Sequence, residues 1–416
     1  MTRTAGATVL VGRDMRSSST SLSAALIRGL TDEGASIVDA GLVSTPLFYH
    51  ATKDYKAGVM VTASHNPKEY NGFKLCKEEA IPISYDTGIR AIEALVDELP
   101  KELAQTKGAE TKRDYLQEFL DCNLGFLKTT KDFTIVVDAG NGMGGYTYEA
   151  LTSLLAKRHI RIKPLYFKPD GTFPNHEANP LKEETLTDLK TTVTGEHADF
   201  GLALDGDGDR CVFVDEHGET VRADLFLALI AQEVLRTHKG ATILHDLRAS
   251  RIVRETITAA GGIPIMCRVG HAYIKAQMRD EHALLAGEVS GHFYPGEANY
   301  TENTMYALFQ LLNLLEETGK PLSTLVAPLK KYSYSGELNN KVADPDKVIT
   351  AAKRIYASAP GVVAVSELDG IRIEFSTWWF NLRKSNTEPV IRLIVEADTE
   401  AEMVEKRDEL LALVRG

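Results

Sequence analysis

The chain has 416 residues, 44% of them hydrophobic and 25% charged, an ordinary globular composition with length for two to four domains. Lys and Arg total 47 against 58 Asp and Glu, a formal charge of −11; this argues against nucleic-acid and anionic-membrane partners but leaves room for a local basic pocket suited to a small anion. Cys76, Cys122, Cys211 and Cys267 lack CxxC spacing, so neither a zinc knuckle nor a disulfide framework is implied. No signal peptide or bilayer-length apolar run is visible, and the cytoplasm is the default compartment.

In chain order, Ala7 to Val11 reads as a strand, Leu22 to Glu33 as a helix, and Ser36 to Asp39 and Gly58 to Thr62 as strands. Thr87 to Leu99 has a helical pattern, and the lysine-rich stretch from Pro100 to Arg113 reads as a connector. Phe133 to Val137 restarts the alternation and leads through a glycine-rich turn into a helix ending near Arg158. Strands at 160–167 and 199–204 follow, then a strand around Phe213 and a helix over 223–235. A strand at 241–245, a helix over 252–260 and a short strand at 264–267 complete that cycle. From about Lys330 the regularity ends: a helix at 345–356, strands at 370–375 and 390–397, and a final helix from Glu400. Repeated βα alternation predicts several α/β units with an α+β unit at the C-terminus.

Asp205-Gly-Asp-Gly-Asp-Arg210 concentrates three carboxylates and an arginine between two apolar runs. Its glycines let Asp205, Asp207 and Asp209 converge, and converging carboxylates call for a cation. All-oxygen ligation suits Mg²⁺, Ca²⁺ or Mn²⁺, and Arg210 beside it suits an anion such as phosphate. An EF-hand is disfavoured because Arg210 stands at its glycine position and the flanks read as strands; a solvated acidic turn without metal is the plainer alternative.

Three further segments carry chemistry. Thr62-Ala-Ser-His-Asn-Pro67 follows an apolar strand and would expose Ser64 at its end, with His65 and Lys74 as partners. The GxSxG elbow is absent, which lowers acyl chemistry relative to phosphorylation. Gly287-Glu-Val-Ser-Gly-His292 places Glu288 and Ser290 where they could grip vicinal sugar hydroxyls. Arg383-Lys-Ser-Asn-Thr-Glu-Pro389, with Arg392 beyond it, suits a phosphate cradle. Each of these three also reads as a plain polar turn. Gly140, Gly142 and Gly145 match GxGxxG, but a tight strand–helix turn explains them better than a dinucleotide site.

Together and in this order the four segments resemble the α-D-phosphohexomutase family, nearest its bacterial phosphomannomutase/phosphoglucomutase branch. Linking text is similar as well: Val11-Gly-Arg-Asp-Met-Arg16, 169–176 and Val269-Gly-His271. The resemblance implies three α/β domains (1–109, 110–211, 212–328) and an α+β domain (329–416) around one cleft, each giving one loop. It implies a phosphorylated Ser64, and Mg²⁺ on Asp205, Asp207, Asp209 and the Ser64 phosphoryl group. Arg210 joins the catalytic set. Glu288, Ser290 and His292 would hold the sugar, and Arg383, Ser385, Asn386, Thr387 and Arg392 the phosphate that is not reacting. His65, Lys74, His271 and His292 are the proton-transfer candidates; Arg13 and Arg248 are further site candidates.

The implied reaction interconverts hexose 1- and 6-phosphates of mannose and glucose through a hexose 1,6-bisphosphate, which also acts as activator. The protein is expected to be a monomer or dimer. Glu-Val-Ser in the sugar loop favours the glucose/mannose branch over phosphoglucosamine mutases; a non-catalytic sugar-phosphate binder is the rival from another class. Two departures from the family pattern stand out. The chain begins past the usual Tyr-Asp-Ile-Arg-Gly-like opening, so the first domain is expected to lack a strand and an arginine near Ser64, leaving an open sheet edge or core face. Arg248 stands where relatives commonly carry lysine, keeping charge without basicity.

Overall fold

The computed structural model describes residues 7–96, 104, 106–385 and 390–415. Four sheets follow one another along the chain. In the first, β1 (Thr8–Arg13) is central, with α1 (Ser19–Asp32), β2 (Ser36–Leu42), α2 (Thr45–Thr52), β3 (Ala57–Val61), β4 (Phe73–Lys77), α3 (Arg90–Val96) and β5 (Glu110–Lys112) following. The order is β4-β3-β1-β2-β5, parallel except for β4. β1 is buried on both faces, as its unbroken apolar run requires in a parallel sheet covered by helices.

The second sheet is built from α4 (Leu116–Leu124), β6 (Phe133–Asp138), α5 (Met143–Ala156), β7 (Ile160–Leu165), α6 (Thr187–Gly195), β8 (Phe200–Leu204), β9 (Cys211–Asp215) and β10 (Thr220–Val221), in the order β10-β9-β8-β6-β7. The third has α7 (Ala223–Thr237), β11 (Thr242–Asp246), α8 (Arg251–Ala259), β12 (Ile263–Cys267), α9 (His271–Asp280), β13 (Leu285–Gly287), β14 (Phe293–Pro295), α10 (Thr304–Thr318) and α11 (Leu322–Val326), in the order β12-β11-β13-β14. The fourth is antiparallel: β15 (Ser333–Tyr334), β16 (Leu338–Lys341), α12 (Pro345–Tyr356), β17 (Val362–Ser366), β18 (Ile371–Phe375), β19 (Trp378–Lys384), β20 (Val390–Ala397) and α13 (Glu400–Arg415).

Three of the chemistry-bearing segments lie at the tips of antiparallel hairpins, β3/β4, β8/β9 and β13/β14; Arg383 and Arg392 stand on the antiparallel pair β19 and β20. In the three α/β units the hairpin's first strand pairs in parallel with its other neighbour and only the return strand reverses. A hairpin tip holds its residues between two hydrogen-bonded strands, a firmer mount than a free loop.

One continuous apolar core runs through the first three units, from Leu10 to Leu329. The fourth unit has its own core, with Phe380, Ile391 and Leu410 among its buried members. Helix α10 lies in the larger core, with twelve of its residues buried. Its residues are apolar on nearly every side, so no 3.6-residue stripe marks it in the sequence, and it was not among the expected elements. Also outside the sequence expectation are α2, α4, α6, α9, α11, β4, β10, β13 to β17 and β19. The helix expected over 87–99 begins at Arg90, and its residues 97–99 lie outside the described ones. The expected connector contains β5, which pairs with β2 past the 109/110 cut. Strands β9, which straddles the 211/212 cut, and β10, which lies past it, both belong to the second sheet. Among the described residues no helix is long and apolar enough to cross a membrane.

Candidate active site

Ser64 sits just beyond β3 with φ of 49°, a left-handed conformation uncommon for a residue with a side chain. Several contacts hold it there. Its backbone N–H donates to Thr62 Oγ1 at 3.0 Å, and the buried Arg16 guanidinium donates to the carbonyls of Ser64, Asn66, Pro67 and Tyr70 at 2.7–3.1 Å. Arg16 is itself anchored by Asp14 at 3.2 Å. Ser64 Oγ donates to Asp205 Oδ2 at 2.8 Å and lies 3.2 Å from His65 Nδ1.

The acidic loop reaches Ser64 because two glycines permit it. A Cβ on Gly206 would lie 2.4 Å from the Ser64 carbonyl oxygen, and one on Gly142 would lie 2.6 Å from the Gly206 carbonyl oxygen. The GxGxxG segment is thus a strand–helix turn packed against the acidic loop, with Met143 N–H donating to Gly206 O at 2.8 Å.

Asp205, Asp207 and Asp209 are buried and each offers an oxygen within 4.8 Å of the others. Asp207 Oδ2 accepts from Thr45 Oγ1 at 2.7 Å and from Lys74 Nζ at 2.7 Å, and Lys74 also reaches Asp209 Oδ2 at 2.5 Å. Burial opposes the charge on Lys74, but Asp207 and Asp209 hold its ammonium group protonated well above the usual lysine range. Asp205 Oδ1 accepts from the Asp209 and Arg210 backbone amides, and Arg210 Nε lies 3.8 Å from Asp205 Oδ2. Burial, then repulsion from Asp209 and Asp207, pushes the Asp205 carboxyl up to about 8. Asp207 Oδ1 and Asp209 Oδ1 are buried without a hydrogen-bond partner among the described residues. Three converging carboxylates that still leave two buried oxygens without a hydrogen bond fit a hard divalent cation.

From Asp209 an unbroken series of polar contacts crosses to the fourth unit. Asp209 Oδ1 lies 3.4 Å from His292 Nε2, and His292 Nδ1 lies 3.0 Å from Glu288 Oε2 and 3.0 Å from Ser290 Oγ. Burial works against the imidazolium, but Asp209 and Glu288 push His292 up to about 9. Glu288 also accepts from Tyr294 OH at 2.5 Å; burial favours its protonation, yet His292, Arg248 and Tyr294 hold it well below the usual carboxylate range. Arg248 is fixed by Asp246 at 2.7 Å and lies 3.7 Å from both Glu288 and Glu337. Glu337 in turn pairs with Arg383 at 2.8 Å and Arg392 at 3.1 Å, and Arg392 Nη2 lies 3.4 Å from Ser385 Oγ.

The structure therefore joins Ser64, His65, Lys74, the three aspartates, Arg210, Glu288, Ser290, His292, Arg248, Arg383, Ser385 and Arg392 in one series of polar contacts. Asn386 and Thr387 lie outside the described residues. His271 stands aside, 3.6 Å from Glu302, and burial, with Lys275 beside it, lowers it to about 4. Burial and Arg210 lower His65 likewise, to about 4. Arg13 closes β1, and among the described residues no hydrogen bond or ion pair joins its side chain to Ser64 or the aspartates. Arg16, Thr45, Asp246, Glu302 and Glu337 escaped sequence reasoning. Only Arg16 left a trace there, in the Val11–Arg16 text.

The comparisons with known proteins agree with this geometry. Models of phosphoglucomutase/phosphomannomutase α/β/α domains I, II and III match residues 1–102, 113–218 and 222–332, and the C-terminal domain model matches 337–413. A phosphomannomutase of Methanocaldococcus jannaschii is 40% identical over 412 residues, covering 98% of this chain and 89% of the relative. A protein of Xanthomonas campestris described as "Phosphohexose mutases" is 38% identical over 414 residues, covering 98% and 91%. The crystal structure of a phosphoglucomutase/phosphomannomutase family protein from Burkholderia thailandensis superposes with a TM-score of 0.88 at 32% identity, covering 98% of this chain and 89% of that one. With four family domains matched in order and relatives matched over nearly its whole length, this chain belongs to the phosphoglucomutase/phosphomannomutase family and is a phosphohexomutase.

Proposed function

We propose that the chain interconverts the 1- and 6-phosphates of glucose and mannose through a phosphorylated Ser64 and a hexose 1,6-bisphosphate. The observation that carries this is Ser64 Oγ, 2.8 Å from Asp205 in a buried carboxylate trio. Asp205, Asp207 and Asp209, with Ser64, would hold Mg²⁺. When bound, that ion neutralises charge on the phosphoryl oxygens and orients them.

The chain's own residues do the rest. Arg16 and the left-handed backbone aim Ser64 at the acidic loop. Arg210 stands beside the trio to meet phosphoryl charge. Glu288 and Ser290 grip sugar hydroxyls, a grip that leaves C2 free and accepts both epimers. Arg383, Ser385, Asn386, Thr387 and Arg392 hold the phosphate that is not reacting. His65, Lys74, His271 and His292 are the proton-transfer candidates; the ion pairs of Lys74 favour a fixed cation for it. We further place the divisions between the first three domains after β5 and β10, so that each keeps its whole sheet.

The test is a coupled mutase assay with Mg²⁺ and catalytic hexose 1,6-bisphosphate, run in parallel on mannose, glucose and glucosamine 1-phosphates. Turnover of the first two, lost in Ser64→Ala, is expected. Preference for the amino sugar would replace the substrate assignment, and binding without turnover would leave only a sugar-phosphate binder.

A further inference from the structure

Arg383 on β19 and Arg392 on β20 stand directly opposite each other in the register of the fourth sheet. Like charges so placed repel unless an anion lies between them. Arg383 is 5% exposed, so water screens it little. Arg248 comes to the same place from the third domain.

Glu337, in the short link between β15 and β16 along the edge of β20, supplies the anion. Its Oε2 accepts from Arg383 Nη2 at 2.8 Å and its Oε1 from Arg392 Nη1 at 3.1 Å, with Arg248 Nη1 3.7 Å from Oε2. One carboxylate thus spans three guanidinium groups in the forked manner of an oxyanion. Burial opposes its ionisation, but Arg248, Arg383 and Arg392 keep it ionised below the usual carboxylate range. Arg383 Nε and Arg392 Nε are buried and have no hydrogen-bond partner among the described residues, so the arginines keep donors in reserve.

The pairing decides what Glu337 does. Arg248 is paired with Asp246 and, with His292, shares Glu288, while Arg383 and Arg392 are both held by Glu337. A phosphate entering this cluster meets arginines already in use and a like charge beside them. We propose that Glu337 is a built-in counter-ion that occupies the phosphate site of the empty cleft and competes with the substrate's non-reacting phosphate for Arg383 and Arg392. This rests on the phosphohexomutase reading with its bisphosphate intermediate. That intermediate must leave the site, reverse and be gripped again by its other phosphate; a competitor bound to the protein loosens the grip enough for the exchange.

The test uses the full chain, wild type and Glu337→Gln, with inorganic phosphate titrated calorimetrically and turnover of glucose 1-phosphate measured alongside. The variant is expected to bind inorganic phosphate roughly tenfold more tightly, since one like charge a few ångströms away is gone. Its KM and kcat are expected to fall together, the tighter grip slowing exchange. Weaker or unchanged phosphate binding, with KM raised at constant kcat, would overturn the proposal and leave Glu337 as a support that merely orients the arginines. If Glu337→Gln does not fold, Glu337→Asp carries the same test, because it withdraws the charge by one methylene. Phosphate a few-fold tighter supports competition, and no tightening rejects it. A wild type that neither binds nor turns over hexose phosphates would instead sink the mutase reading itself, and this inference with it.

Discussion

At one end of the cleft Asp205, Asp207 and Asp209 face Lys74; at the other Arg248, Arg383 and Arg392 face Glu337. Each end clusters three side chains of one sign, and at both a residue from elsewhere in the chain pairs with two of them. They differ in how they are mounted. The acidic end joins the first and second units, which share a core, and backbone packs on backbone where Gly206 meets Ser64. The basic end joins the third unit to a fourth with a separate core, largely through arginines. Arg251 donates to the carbonyls of Ser376 and Thr377 and pairs with Asp398, and Arg372 donates to the Ala249 carbonyl at 3.4 Å and to that of Leu247. An interface of polar contacts between separate cores permits relative movement, whereas a shared core resists it. The acidic end is thus the more firmly mounted of the two, and the basic end rests on polar contacts between separate cores.

The comparison can be broken most forcefully at the fixed end. Ser64→Ala is expected to lower kcat by about 10⁴-fold or more, with folding intact by melting curve. Residual activity above a hundredth of wild type would place the nucleophile elsewhere. Next in size, Lys74→Met leaves Asp207 and Asp209 without their internal cation. Metal-free protein should lose about 3 kcal/mol of stability, and Mg²⁺ should restore most of it. Equal melting temperatures with and without Mg²⁺ in both proteins would show that Lys74 and a metal do not share the site.

At the basic end, Arg383→Gln is expected to raise KM for hexose phosphates roughly 30-fold, about 2 kcal/mol of lost charge-assisted binding, with a smaller effect on kcat. A loss confined to kcat would put Arg383 in the chemical step. The smallest effect concerns pH. His245 lies in β11 beside Asp246, which fixes Arg248, and burial, with Arg372 and Arg254 nearby, depresses it to about 4. The folded form therefore binds fewer protons than the unfolded form between pH 6.5 and 4. Stability is full above about 6.5 and falls as pH drops through that window. From pH 6.5 to 5.5 the loss from this residue is about 1 kcal/mol. Chemical denaturation at the two pH values checks it, and a stability that is flat or rises on acidification would refute it.

Much of the site was legible in the primary structure because its chemistry is local. Ser64 with His65, the three aspartates of one short loop, Glu288 with Ser290, and Arg383 with Ser385 are each set by a few adjacent residues after an apolar strand. Strands such as β6 and β8 were equally plain, since a run of buried apolar residues bounded by glycine needs no partner to be recognised. Helix α10 was hidden by its own burial, and β5 by its charge: Glu110, Thr111 and Lys112 pair on an exposed sheet edge where side chains are free of the core. That β5 pairs with β2, and β9 and β10 with the second sheet, was not legible, because sheet membership follows hydrogen-bond partners, which composition does not record.

By itself the sequence determined the order of the α/β units, the identity of the four loops and the kind of group each presents. Only the tertiary structure decided which charges answer one another. Thr45 and Asp207 are 162 residues apart, Lys74 and Asp209 are 135, and Glu337 and Arg383 are 46. Such pairs have no period, spacing or motif: the first two form where separate domains meet, and the third only when the strands of the fourth sheet come together. A buried charge is tolerated only where a partner arrives in the right geometry, and that geometry is a property of packed sheets and hairpin tips.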